Sequence, residues 1–254
     1  MSILTTEGLL PTAWWIFENN WPLFWYGVKI TLLLSTLGTL FGLFIGLVFG
    51  GIRAIEVEEK DKPIVKVIKK VLHAIVAVYV WFFRGTPMMV QAMFFYYGLR
   101  PLLGWTPNIA GIAIISVNTG AYMCEIIRSG IQSVDKGQVE AARSLGMTST
   151  QTMIHIVLPQ AIRNSFPSIG NEFIVNIKDS SMLNAIGVIE IFFQTTSVAG
   201  SMMLFTETFF IACILYLLLT SIAMAILTTI EKRMNMPKTS YPSSQSVPVK
   251  AGDR

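Results

Sequence analysis

The chain has 254 residues, 53% of them hydrophobic and 13% charged. Soluble domains carry about 25% charged residues, so half that share with a mean hydropathy of +0.59 excludes an ordinary water-soluble enzyme and points to lipid. The net charge of +4 gathers between apolar runs with no basic stripe and no base-stacking motif, which excludes a nucleic-acid-binding face.

Residues 1–24 contain Trp14, Trp15 and Trp21, and Trp25 and Tyr26 follow directly. Indole rings prefer the lipid–water boundary, so this stretch is expected to be an extracellular, interfacial segment. It is not read as a secretory signal, because the first Lys or Arg is Lys29 and a basic leader is lacking.

A bilayer crossing needs roughly 20 predominantly apolar residues. Four uncharged runs serve as crossings: residues 30–52, 85–99, 101–124 and 208–230, the second extending back through 71–83 past Arg84. A fifth crossing, over residues 167–193, is apolar but carries Glu172, Lys178, Asp179 and Glu190. A transmembrane domain is therefore expected over residues 25–232. Residues 233–254 are rich in Pro and Ser without apolar periodicity, and read as a disordered tail.

Charge placement orients these crossings. Of 19 Lys and Arg, six lie in 51–70, four in 125–163 and five after residue 230. Basic residues favour the cytoplasmic side, which puts the N-terminus outside and the C-terminus inside. An odd number of crossings follows, and five satisfies it. Cys124 and Cys213 sit in apolar runs, with no disulfide framework and no zinc spacing. His73 and His155 lie far apart and are read as structural; no metal site is expected.

The segment 125–163 is far longer than most helix connections, so it should hold structure. It runs Glu140-Ala141-Ala142-Arg143-Ser144-Leu145-Gly146, then nine residues, then Ile156-Val157-Leu158-Pro159. Good helix formers predict a helix over 134–145, with Gly146 suited to the position just past its end. A second helix is expected over 147–157, capped by Thr148 or Ser149 and ended by Pro159.

Glu-Ala-Ala, three residues, Gly, nine residues and Ile-x-Leu-Pro resembles the signature of permease subunits of ATP-binding-cassette importers. Arg84-Gly85-Thr86-Pro87 with Gln91, GAYMCEIIRSGIQSV and NEFIVNIKDSSML resemble the polar amino-acid branch of that family, the histidine, glutamine and arginine permeases. The likeness covers residues 26–232. It implies an all-α membrane protein of about five transmembrane helices with the type I importer permease fold, in a bacterial cell membrane. It further implies that the loop about 128–163 forms a coupling helix docking on a separate ATPase subunit, with Glu140, Ala141, Ala142, Gly146, Leu158 and Pro159 as its coupling residues. ATP and Mg would be bound by that partner. The other implied partners are a second permease copy or paralogue, an external solute-binding protein and membrane lipid; the implied substrate is a polar or charged L-amino acid.

Consistent with a separate ATPase, the chain has no GxxxxGK[ST] loop, and no catalytic residues are expected. Two rivals stand beside the permease: a secondary carrier driven by an ion gradient, and a membrane scaffold that binds a partner without transport.

Candidate substrate residues follow from polarity inside the crossings, where ionisable groups mark a pathway or a paired partner. Ser168, Glu172, Asn176 and Asp179 recur at helical spacing on one face. One reading makes them a site for an amino-acid ammonium; the other makes them a water-lining face with Lys178 or Arg84 neutralising a carboxylate. Thr86, beside the helix-breaking Pro87, and Asn118, next to Thr119 in the third crossing, complete the candidate set.

Overall fold

The computed structural model describes residues 8–55, 57, 59 and 61–234. Its ordered elements are all helical; among the described residues there is no strand. The helices are α1 (Leu9–Ala54), α2 (Pro63–Gly85), α3 (Met88–Leu103), α4 (Pro107–Gln132), α5 (Lys136–Ser144), α6 (Ser149–Thr152), α7 (Leu158–Asp179), α8 (Ile191–Met202) and α9 (Phe205–Arg233).

The expected break between residues 24 and 25 is absent. α1 runs unbroken through Pro22 for 46 residues, a length of about 69 Å at 1.5 Å per residue, well beyond the hydrocarbon core. Its first turns do not stand apart from the bundle: Ala13, Ile16 and Phe24 pack with Val198 of α8 and Ile211 of α9. The Trp-rich stretch is thus the N-terminal part of the first long helix. The rest of the expected tail, residues 235–254, lies outside the described residues.

α1 and α4 form the central pair, and small residues explain why. Gly38, Gly42, Gly46 and Gly50 recur every four residues on the buried face of α1. A Cβ at Gly38 would lie 2.6 Å from Ile115 Cγ2, and one at Gly42 would lie 2.8 Å from Thr119. Close approach of this kind gives membrane helices their packing contact where no hydrophobic drive exists.

α2 and α3 are separated where the sequence breaks them. Thr86 is extended (φ −126°, ψ 147°) and Pro87 opens α3. α2 is held to its neighbours by His73 Nε2 at 2.9 Å from the Ile52 carbonyl and by the Tyr79 hydroxyl donating to the Val117 carbonyl over 2.6 Å. α4 starts six residues later than expected and ends eight later. Gly104 closes α3 in the left-handed region, Thr106 accepts from the Ile109 N–H, and Pro107 sits in the first turn, which needs no N–H.

The segment 167–193 is not one helix. α7 ends at Asp179, a 3-10 stretch follows over Ser180–Ile186, and α8 begins after Gly187 turns at φ +85°. The pair of helical stretches on either side is bent by 56°. Among the described residues three helices (α1, α4 and α9) are long and apolar enough to cross a bilayer, or four if the bent pair is one crossing.

Candidate functional site

The Glu-Ala-Ala loop builds a compact knob. Asp135 caps α5 by accepting from the Gly137 N–H over 2.6 Å. At its other end Gly146 N–H donates to the Arg143 carbonyl and Met147 N–H to the Ala142 carbonyl, 3.0 and 3.1 Å. These are the two bonds of a Schellman turn, with Gly146 at φ +85°. Glu140 and Ala141 face outward and Leu145 is 85% exposed. Ala142, expected on the docking face, is instead 5% exposed; it lies on the inward side of α5, where methyl size lets the helix sit close to its own subunit.

Pro159 does not end the second helix, a correction to the sequence reading. Thr148 and Gln151 form a capping box at the start of α6, and the chain then passes through a π-turn over Met153–Val157 into α7. The Leu158 N–H bonds to the Met153 carbonyl, five residues back. This wider turn, with Pro159 in the first turn of α7, admits the ring without a broken ladder. Leu158 is half-buried, Pro159 exposed, and Val157 packs with Val134 and Ala161 beneath the knob.

The six candidate substrate residues fall into three groups rather than one pocket. Thr86 and Asn118 meet through Gln91 at the α2–α3 break. Gln91 Nε2 donates to Thr86 Oγ1 (2.7 Å) and to the Thr86 and Phe83 carbonyls (2.9 and 3.0 Å); Asn118 Nδ2 donates to Gln91 Oε1 over 2.9 Å. These amides satisfy the carbonyls that the break leaves open. Gln91 entered the sequence reading only as part of a motif; the helix break before it is the signal that marks its role.

Asn176 forms the second group. It is 3% exposed, accepts from Thr119 Oγ1 and donates to Thr39 Oγ1, each at 2.9 Å. Both polar ends of its side chain are committed to tying α7 to α4 and α1. It therefore leaves the stripe on which its spacing placed it.

Ser168, Glu172 and Asp179 form the third group, on the open face of α7. Ser168 is exposed, and Glu172 and Asp179 are half-buried. The charges acting on Glu172 are those of Asp179 and Arg84, and the charge acting on Asp179 is that of Lys178. Neither carboxylate has a hydrogen bond or an ion pair among the described residues. Arg84 lies over the Tyr122 ring at 5.3 Å.

Two charged constellations escaped sequence reasoning. Glu190 is 0% exposed and caps α8, accepting from the N–H groups of Phe192 and Phe193 (2.9 and 2.8 Å) and from the Tyr216 hydroxyl (2.7 Å). Three donors hold the buried carboxylate and fix the α7–α8 bend against α9. Glu125 bridges Arg53 and Arg128, joining the loop-side ends of α1 and α4. Spacing marks only the Glu125–Arg128 pair, three residues apart on α4; Arg53 and Tyr216 come from separate helices and leave no such signal. No group of three or more His, Cys, Asp or Glu that could hold a metal occurs among the described residues.

A bundle of long apolar helices that carries this knob at one end is the fold of a type I importer permease. Residues 64–236 match the family described as binding-protein-dependent transport system inner membrane component, and the chain belongs to that family. It is 35% identical over 228 residues to the probable amino-acid permease protein YxeN of Bacillus subtilis (strain 168), covering 88% of this chain and 96% of that one. It is 33% identical over 218 residues to the glutamine transport system permease protein GlnP of Escherichia coli (strain K12), covering 85% and 94%. Among solved structures, an amino acid ABC transporter crystallised with histidines matches with a TM-score of 0.73 at 35% identity, over 85% of this chain and 96% of that one. The MetNI methionine ABC transporter in an inward-facing conformation shares the fold, with a TM-score of 0.68 at 20% identity over 85% and 98%. In this family the chain is the membrane permease subunit and the ATPase is a separate subunit.

Proposed function

We propose that the chain imports polar or charged L-amino acids as the permease of an ATP-driven importer, with ATP and Mg bound in separate ATPase subunits. The observation that carries the reading is the α5–α6 knob. A Schellman turn at Gly146 presents Glu140, Ala141 and the exposed Leu145 on a rigid tip outside the bundle. A rigid apolar tip with one carboxylate suits a groove on a soluble partner, and movement of that partner can bias the bundle only if the tip's contacts differ between two states.

The knob lies on the cytoplasmic side, with the N-terminus outside and the C-terminus inside, as the Lys and Arg distribution requires. We take five crossings: α1, α4, α7 with α8, and α9, with α2 and α3 together added as the one that makes the number odd. A second permease copy or paralogue completes the path, and an external solute-binding protein delivers the substrate. Relatives named for amino-acid and glutamine transport support the substrate class. The unpaired carboxylates of Glu172 and Asp179 are the groups offered to a substrate ammonium.

Proteoliposomes holding the permease with its ATPase subunits and binding protein should take up labelled amino acid only with ATP on the ATPase side. Uptake by the permease alone under a proton or sodium gradient would assign it to the carriers instead. A complex that forms but shows no flux would make it a scaffold.

A further inference from the structure

A cleft of about 400 Å³ opens at the knob end of the bundle, lined in part by Arg84, Glu125, Arg128, Ser129, Asn164 and Ser168. Its volume lies in the range of small-molecule sites. Glu172 and Asp179 are not on its lining, but Ser168 of the same α7 face is, and the Arg84 charge reaches Glu172.

The charges in the cleft do not cancel. Glu125 accepts from Arg128 through Nε (3.1 Å) and Nη2 (2.8 Å), while its other oxygen takes Arg53. Arg128 Nη1 goes on to Gln132 Oε1 at 3.0 Å. Among the described residues Arg84 makes no hydrogen bond or ion pair; it lies over the Tyr122 ring, and its charge also acts on Glu172. The lining carries two guanidiniums, Arg84 and Arg128, against the one carboxylate of Glu125, which also takes Arg53. This leaves a formal excess of positive charge, with Arg84 able to turn its fork toward a ligand. Arginine is suited to that task, because its planar donors match both oxygens of a carboxylate.

We propose that this cleft is an inner substrate station, an anion site that receives the carboxylate of the amino acid before release to the cytoplasm. The inference rests on the import function proposed above. Along α7 the sign of the field reverses. Glu172 and Asp179 come first, with no ion-paired cation among the described residues, and the Arg84–Arg128 cleft follows beyond Ser168. A zwitterion can pass from the first to the second with each of its charges met in turn, which avoids an uncompensated charge away from water. Ser129, Asn164 and Ser168 add neutral hydrogen-bonding groups that fit any side chain, so the station recognises the carboxylate rather than the particular amino acid.

The test uses the full-length chain in neutral phosphatidylcholine discs, with N-acetylglycine as a probe that has a carboxylate and no ammonium. Saturable binding is expected, weakened at least tenfold by Arg84→Gln and by Arg128→Gln and unchanged by Glu18→Gln, an exposed carboxylate on the N-terminal part of α1. Arg84→Gln is the decisive variant, since it leaves the Arg53–Glu125–Arg128 cluster intact. No saturable binding to the unmodified chain, or binding by the two arginine variants as strong as by the unmodified chain, would overturn the proposal. Displacement of the probe by phosphatidylglycerol added to the discs would also overturn it, reassigning the arginines to lipid headgroups. Because the probe needs no transport, ATP-driven uptake measured separately shows whether the functional reading itself has failed.

Discussion

Thr119 Oγ1 donates to Asn176 Oδ1 over 2.9 Å, in a contact between residues 57 positions apart. The same carboxamide donates to Thr39 Oγ1, so one side chain pins three helices where water is excluded. Asn176→Leu keeps the volume and removes both bonds, leaving two buried hydroxyls short of a partner. The expected loss is about 1–3 kcal/mol, read as a fall of several degrees in the melting temperature in detergent. ATPase capture at the distant knob should survive in the protein that remains folded. An unchanged melting temperature would show that the tie contributes nothing.

Two glycines in α1 separate close approach from mere helix weakness. A Cβ at Gly42 would lie 2.8 Å from Thr119, whereas one at Gly51 meets nothing within 4 Å. Gly42→Ala should destabilise by about 1–3 kcal/mol through overpacking. Gly51→Ala should be neutral or stabilise by roughly 0.5–1 kcal/mol, because glycine weakens a helix interior. Thermal melts of the two variants side by side check this, and equal behaviour would refute the glycine ridge as the α1–α4 contact.

Gly146→Val and Glu140→Lys probe the knob from two directions. Valine at φ +85° strains the turn by about 1–3 kcal/mol; lysine reverses the charge on the exposed face. Both variants should insert and fold yet fail to capture the ATPase in a pull-down, and ATP-driven uptake should be lost. Full uptake by both would remove the knob from the coupling pathway.

Glu172→Gln keeps shape and removes the charge. A charge-assisted hydrogen bond to a substrate cation contributes about 1.5–3 kcal/mol, a ten- to hundredfold change in affinity. Uptake of basic amino acids should fall by that factor, and more than uptake of neutral ones, while melting temperature and ATPase binding hold. Because Glu172 has no ion-pair partner among the described residues, loss of its charge should not unfold the protein. A stable variant with unchanged uptake and unchanged substrate ranking would exclude Glu172 from the path.

Orientation can be read by single cysteines in a background lacking Cys124 and Cys213. A cysteine at Asn108, in the first turn of α4, should react with an impermeant reagent applied to intact cells. One at Ser149, exposed at the start of α6, should react only after the cells are opened. External labelling at 149 would invert the proposed topology.

The sequence by itself determined the membrane class, the family and the knob. Each is written in contiguous residues: long uncharged runs, a spaced Glu-Ala-Ala…Gly…Leu-Pro pattern, and a glycine where the backbone turns left-handed. The Thr86–Pro87 break was legible for the same reason, since proline acts on its own backbone and on the residue before it. Tertiary structure alone decided which polar residues remain free. Ser168, Glu172, Asn176 and Asp179 share a helical face by spacing, but Thr39 and Thr119 of other helices claim Asn176 and leave the two carboxylates open. Glu125 drew Arg53 from α1, beside the Arg128 that its own helix supplies three residues on, and Glu190 drew its hydroxyl from α9. A side chain's last hydrogen bond is set by what packs across from it, and in a bundle that neighbour can lie more than a hundred residues away, as Thr39 does from Asn176.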